Sequence, residues 1–443
     1  MFSCFQLIFL WLFCASIFPL QGSFAATPLS IENQIRAYIT SHQTEQLSLL
    51  EQLVNINSST NNIQGVQQVG ELLRRQFEEL GFKTKWVQEP PDMKRASTLV
   101  ATRQGNKGKR ILLIGHLDTV FAKDSPFQTF KRHDNIATGP GVIDDKGGDV
   151  VILYALKALA SVNGLDDTTI TIVLTGDEEE SGKPTSISRR PLFQAASMSD
   201  IALDFEPAVN QNTATIARRG ITNWTIEASG HESHSAGIFK HEAGFGAIFE
   251  LARILNTMRV NLSKEKYLTF NPGWMLGGTL IQSATNAPNG HAFGQENVIA
   301  KSAIAKGDLR YLTLTQKLDA EHRIETIVND HLPGTSASIH FEDGIPAMSP
   351  TSANLKLLEQ YSKTSSDLGY QIIKPLDPGQ RGAGDISYIA AKVSASISGL
   401  GALGSGAHST KESLDCAWLS IQTERAAIFI YRLTHYPVDN SPK

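Results

Sequence analysis

Ile111-Leu-Leu-Ile-Gly-His116-Leu-Asp118-Thr119-Val120 is the stretch from which the fold can be read. The apolar run predicts a strand that delivers His116 and Asp118 at its carboxyl end, where open α/β sheets place their ligand sites. A spacing of two on an extended segment lets an imidazole face a metal while a carboxylate behind it holds the ring. Taken alone, the H-x-D spacing is weak, because a strand-end histidine is more often simply hydrogen-bonded.

The pattern on either side predicts an α/β domain. From Ser30 to Phe82 the chain has helical periodicity, with Val66, Val69, Leu73, Phe77 and Leu80 on one face before Gly81. Strand-like runs follow at Lys83–Val87, Ser97–Thr102 and Arg110–Ile114, then a helix from Gly147 to Ala160, and strands at Thr168–Leu174 and Ile201–Phe205. Strands alternating with helices indicate a central sheet. Near Thr213 the order changes. Strand Ile221–Ala228, helix Glu242–Met258, strands Tyr267–Phe270 and Val298–Asp308, helix Thr313–His331 and strand Ser336–Phe341 give the β-α-β-β-α-β order of a ferredoxin-like unit. Helical and strand patterns resume through Leu355–Leu368 and Thr423–Leu433. The expected organisation is a catalytic domain (27–212 and 346–443) interrupted by an inserted domain (213–345).

Composition limits the function. The chain has 443 residues, 41% of them hydrophobic, and a net charge of −4. That apolar content excludes disorder as the main state. The absence of a basic excess argues against nucleic acid as a partner. No 20-residue apolar run occurs in the body of the chain, so no internal membrane span is expected. The N-terminus differs. Leu7 to Phe18 is apolar and leads through Pro19 and Gly22 to Ser23 and Ala25, an export-signal pattern (residues 1–25) cut near Ala25 or Ala26. It lacks the usual basic residue before the apolar run. The expected location is periplasmic or secreted, with no membrane attachment after cleavage. Of three cysteines only Cys416 would remain, so no internal disulfide is expected.

Four further segments carry chemistry. Gly139-Pro-Gly141-Val-Ile-Asp144-Asp145-Lys146 brings two carboxylates into a helix start, although acidic residues there are also ordinary cap chemistry. Asp177-Glu178-Glu179-Glu180 places four consecutive carboxylates after a strand, a repulsion that a cation removes, leaving Glu178 and Glu179 to divide into base and ligand. Glu206 follows the strand ending at Phe205, and His408 lies in a glycine-rich loop. Together His116, Asp144, Glu179, Glu206 and His408 form a mixed imidazole and carboxylate set suited to zinc or another borderline divalent metal such as cobalt.

In this order the motifs H-x-D-T-V, G-x-x-D-D-K-G-G, D-E-E, F-E-P and a late G-x-x-H resemble the di-zinc metallopeptidases that include glutamate carboxypeptidase, aminoacylases and succinyl-diaminopimelate desuccinylases. The resemblance implies a mixed-sheet α/β/α exopeptidase fold with an inserted ferredoxin-like domain that mediates dimerisation. It implies His116 and Glu206 on one zinc, Glu179 and His408 on the other, and Asp144 bridging. It also implies Glu178 as general base and Asp118 orienting His116. In the inserted domain His234 resembles the family's G-x-x-S-H histidine, which reaches the partner subunit's site, and Asn297 and Arg310 resemble its substrate-carboxylate contacts. The activity implied is hydrolysis of a small peptide or N-acyl amino acid with a free carboxylate, by a carboxypeptidase or alternatively an aminoacylase or dipeptidase. Three features depart from the pattern. Ile345 stands before Pro346-Ala347 where a basic residue can occur, Arg381-Gly-Ala-Gly384-Asp385 replaces a G-G-T-D type loop, and Gly182 comes one position late.

Overall fold

The computed structural model describes Met1 and residues 30–284 and 289–436. The export-signal reading falls on residues 2–29, outside those described. Six strands form the larger sheet, in the spatial order Lys83–Val87, Thr98–Arg103, Thr168–Thr175, Lys107–His116, Ile201–Asp204 and Ala395–Ser398. The last four run parallel, and Thr98–Arg103 pairs antiparallel with Thr168–Thr175, so the sheet is mixed.

Parallel strands covered on both faces need apolar side chains in both directions. Ile111 and Leu113 enter the core shared with helices Ile31–Ser41, Ile63–Glu79, Lys146–Ala160 and Cys416–His435. Leu112 and Ile114 point the other way, into a smaller core with helix Arg190–Ser197 and residues Ile386 and Ile389. The decisive apolar run is thus the middle of a three-layer sandwich. Helix Cys416–His435 is longer than the sequence predicts, because Asp415 caps it by accepting the N–H of Ala417 at 3.1 Å. Strand Ala395–Ser398 is absent from the sequence reading: its A-S-I-S composition lacks an apolar run, yet all four residues are buried.

The second sheet has four antiparallel strands, in the order Thr269–Gly278, Ser302–Tyr311, Gly220–Gly230 and Thr335–Asp343. Helices Ala247–Leu262 and Leu314–Asn329 contribute Leu251, Ile254, Ala320 and Ile324 to its core, beside Trp224 and Ile226. This order is that of a ferredoxin-like unit. Strand Thr269–Gly278 runs well past the predicted end at Phe270. Pro272 and Gly273 look like a stop in sequence, but on this edge strand they sit in a bulge. A hairpin of Leu280–Ser283 with Gly290–Phe293 is added beyond it. The first helix starts at Ala247, not Glu242, because Gly244 and Gly246 adopt positive φ (+68° and +76°) and delay it. Among the described residues no helix is long and apolar enough to cross a membrane.

Candidate active site

The carboxyl ends of the four parallel strands converge. Lys107–His116 ends at His116, Thr168–Thr175 is followed by Glu178 and Glu179, Ile201–Asp204 by Glu206, and Ala395–Ser398 leads into the loop of His408. Asp144 arrives from the turn that opens helix Lys146–Ala160. Asp144 stands between two imidazoles: His116 Nε2 lies 3.1 Å from its Oδ1 and His408 Nε2 lies 3.1 Å from its Oδ2. His408 Nε2 is also 3.1 Å from Glu179 Oε2. His408 holds a left-handed backbone (φ +62°), a conformation that costs a non-glycine residue energy and that its surroundings must enforce.

Asp118 lies behind this cluster, fully buried. Its Oδ1 is 3.3 Å from His116 Nδ1 and accepts the Glu178 N–H at 3.0 Å, while its Oδ2 accepts the Glu179 N–H at 3.2 Å and the Thr60 hydroxyl at 2.6 Å. One carboxylate therefore fixes both the ring of His116 and the turn carrying Glu178 and Glu179.

The electrostatics are those of crowded carboxylates. Burial pushes the Glu178 carboxyl well above its usual range, and the nearby charge of Glu206 adds to this. Burial likewise raises Glu179. Hydrogen bonds to Asp144 and Glu179 raise His408 to about 11. For His116 burial opposes the charged ring, but Asp118 and Asp144 outweigh it and the net shift is upward.

The donor set fits a divalent metal. Ligand atoms of His116, Asp144 and Glu179 all lie within 4.8 Å of one another, as do those of His116, Glu178 and Glu206. Glu179 Oε1 is buried without a hydrogen-bond partner, an orphaned acceptor that a cation would satisfy. Nitrogen and carboxylate oxygen are the ligands that zinc takes in such sites.

The sequence profile of Peptidase family M20/M25/M40 matches residues 112–432. This chain belongs to that family. Among M20-like relatives, carboxypeptidase G2 from Pseudomonas sp. (strain RS-16) is 29% identical over 390 residues, covering 86% of this chain and 87% of that protein. The structure of aminopeptidase PepT from Bacillus cereus ATCC 10987 matches with a TM-score of 0.69 at 17% identity, covering 88% of this chain and 98% of that one. The YXEP protein of Bacillus subtilis, described as a dinuclear metal-binding peptidase of the M20 family, matches with a TM-score of 0.60 at 13% identity, covering 89% of this chain and 99% of that one. The mixed-sheet α/β architecture is therefore the M20 fold.

Several residues of this M20 centre escaped the sequence reading. Glu412 accepts the N–H groups of Gly141, Ile143 and Asp144 at 3.1, 2.9 and 3.1 Å and so shapes the turn that presents Asp144. The signal was a carboxylate four residues after His408. Arg189, fully buried, binds Asp177 Oδ1 at 2.6 Å and Asp385 Oδ1 at 2.5 Å, and Thr175 Oγ1 donates to Asp385 Oδ2 at 2.7 Å. The loop 381–385 thus buttresses the Asp177–Glu179 turn through Asp385. Arg218 and Arg381 both reach Glu206.

Of the three inserted-domain residues, His234 and Asn297 are neighbours and Arg310 lies apart from them. Arg310 pairs with Ile221 at the start of strand Gly220–Gly230, with its Nε 2.8 Å from Asp308 Oδ2. His234 and Asn297 lie past the other end of that ladder, where the Ser235 N–H donates to Asn297 O at 2.9 Å and His234 Nδ1 accepts the Ala236 N–H. From Ile221 to Ser229 is eight steps of about 3.3 Å, roughly 26 Å. A single chain does not bring Arg310 and Asn297 to one carboxylate.

Proposed function

We propose that this chain is a two-metal carboxypeptidase-type amidohydrolase that releases a C-terminal amino acid from short peptides or N-acyl amino acids. The observation that carries this reading is Glu178. It is a carboxylate held by its own N–H on Asp118, beside a histidine and carboxylate cluster suited to divalent metals. The similarity to carboxypeptidase G2 across most of both chains supports the choice of a carboxypeptidase.

Bound at His116, Asp144, Glu179, Glu206 and His408, two zinc ions would supply Lewis acidity to the scissile carbonyl and acidify water. Glu178 takes the water's proton and passes it to the leaving amine. Asp118 keeps the ring of His116 oriented and the Glu178 turn in place. Arg310, at the catalytic-domain end of the inserted sheet, holds a substrate carboxylate.

His234 and Asn297 serve a second copy of the chain. Strand Gly220–Gly230 carries the backbone about 33 Å away from Arg218 before it reaches His234, which supports a homodimer with shared sites. Metal analysis of the purified protein, with a kinetic panel of short peptides and N-acyl amino acids, tests this function. A metal content near two per chain and turnover of peptides ending in a free carboxylate are expected. Faster turnover of N-acetyl amino acids would make it an aminoacylase, and no hydrolysis of any amide would refute the reading.

A further inference from the structure

The run Asp177-Glu178-Glu179-Glu180 divides its charge three ways. Asp177 is met by Arg189, while Glu178 and Glu179 belong to the clusters that fit a cation. Glu180 is the half-exposed member. Its Oε1 lies 2.7 Å from Arg95 Nη2, and its Oε2 accepts an N–H of the Asn61 amide at 3.1 Å. Arg95 also takes the main chain of the same residue: its Nε donates to Glu180 O at 2.5 Å, and its Nη1 donates to Lys94 O at 3.2 Å. One guanidinium therefore holds both the carboxylate and the carbonyl of Glu180.

This clasp secures the part of the turn that nothing else holds by its backbone. Asp118 takes the N–H groups of Glu178 and Glu179, and Asp177 Oδ2 takes that of Gly182 at 2.7 Å. Among the described contacts, Glu180 O is the only main-chain carbonyl of residues 178–181 with a partner, and that partner is Arg95. The loop carrying Arg95 is itself fixed. A Cβ on Gly176 would fall 2.7 Å from Ser97 O, so the loop packs directly on the residue that follows strand Thr168–Thr175. Lys94, just before Arg95, has a left-handed backbone (φ +52°), a strain that persists only where the surroundings enforce it. Asn61 in turn follows Thr60, whose hydroxyl is bonded to Asp118. Both partners of Glu180 thus belong to segments anchored at the base of the site.

We propose that Arg95 is a positioning residue for the hydrolysis: by clasping Glu180 it fixes the turn on which Glu178 stands, without touching substrate itself. The proposal rests on the role given to Glu178 above. An ordinary surface ion pair would contribute little stability and leave the kinetics alone. The planar fork is what the clasp requires, because an ammonium can meet the carboxylate or the carbonyl but not both in one geometry.

The test compares Arg95→Gln, Arg95→Lys, Glu180→Gln and the double variant Arg95→Gln/Glu180→Gln with the wild type. Kinetics on the substrate panel are measured at saturating zinc, and hydrogen exchange of residues 176–184 is measured on the metal-free protein. Arg95→Gln should lower kcat about 10–100-fold, as misplacement of a catalytic group does, and leave KM near the wild-type value. Exchange in 176–184 should quicken about tenfold, the loss of one charge-assisted hydrogen bond, while helix Cys416–His435 stays as it was. Arg95→Lys should recover part of both effects, and Glu180→Gln, which keeps the carbonyl contact, should fall between. The double variant should lie within about twofold of Arg95→Gln, because both substitutions remove the same contact. An unchanged kcat would reduce Arg95 to a surface ion pair. Losses that multiply in the double variant, or a rise in KM alone, would mean that Arg95 meets the substrate and not Glu180. Either result overturns the proposal. If the wild type hydrolyses none of the panel, the functional reading fails and exchange decides alone. Quickened exchange in Arg95→Gln then upholds the clasp, and an unchanged rate overturns it.

Discussion

The Asp118 carboxylate accepts the backbone N–H of Glu178 at 3.0 Å through the same oxygen that lies 3.3 Å from the His116 ring. Glu178, the base of the proposed mechanism, is thus positioned through its main chain, which leaves its side chain free for the proton transfer proposed for it. Glu178→Gln preserves that main-chain contact and the side-chain shape. It should lower kcat by the ~10²–10⁴ of general-base catalysis and leave metal content unchanged. Loss of metal in this variant, measured by elemental analysis, would exchange the roles of Glu178 and Glu179.

Metal removal should be visible in stability as well as activity. A ligand that binds only the folded chain stabilises it, by about 2.7 kcal/mol at a hundred times Kd. Dialysis against a chelator should therefore lower Tm, and zinc should restore it. Glu179→Gln, which removes a candidate ligand, should shrink that zinc-dependent rise in Tm. An identical rise in the variant would place Glu179 outside the metal set.

Arg189 is the sole cation bonded to both Asp177 and Asp385 among the described contacts, and all three are buried. Arg189→Met strands two carboxylates and should cost about 3–5 kcal/mol in denaturant unfolding. Adding Asp385→Asn to it should recover part of that loss, because one stranded charge disappears. A double variant less stable than the single would show that Asp385 is held chiefly by Thr175.

The proposed homodimer with shared sites makes a complementation prediction. Glu178→Ala and His234→Ala, each inactive alone, are unfolded and refolded together. Half of all dimers then contain both chains, and each such dimer has one intact site of two, so roughly a quarter of wild-type activity should return. Refolded dimers without activity would assign His234 to its own chain or to a structural role.

Much of the catalytic half was legible because its strands are buried on both faces and their apolar runs are continuous. Ile111–Ile114 and Ile170–Leu174 announce themselves, and the groups after them fall at strand ends where chemistry collects. Less legible were the residues that act through another. Glu412 works by accepting three main-chain N–H groups, and no spacing rule connects it to a turn some 270 residues earlier. Arg381 sits in a glycine-flanked loop without periodicity, so only the folded chain reveals that it reaches Glu206. Strand Ala395–Ser398 was hidden for a different reason: serines stand where an apolar pattern would have marked it. The separation of Arg310 from Asn297 depends on register, which is fixed by pairing partners far apart in sequence.

The inserted unit departs and returns at one place. Arg218 and Met348 face each other as antiparallel neighbours, exchanging N–H···O bonds of 2.9 and 3.0 Å, and the Ile221 N–H donates to Ile345 O at 2.9 Å. An exit and a re-entry side by side make residues 221–345 portable. The segment could be excised and the ends rejoined by a tight turn without rethreading the larger sheet. Descendants of one catalytic half can thus acquire, exchange or shed an accessory module while the loops carrying His116, Asp144, Glu179, Glu206 and His408 stay where they are.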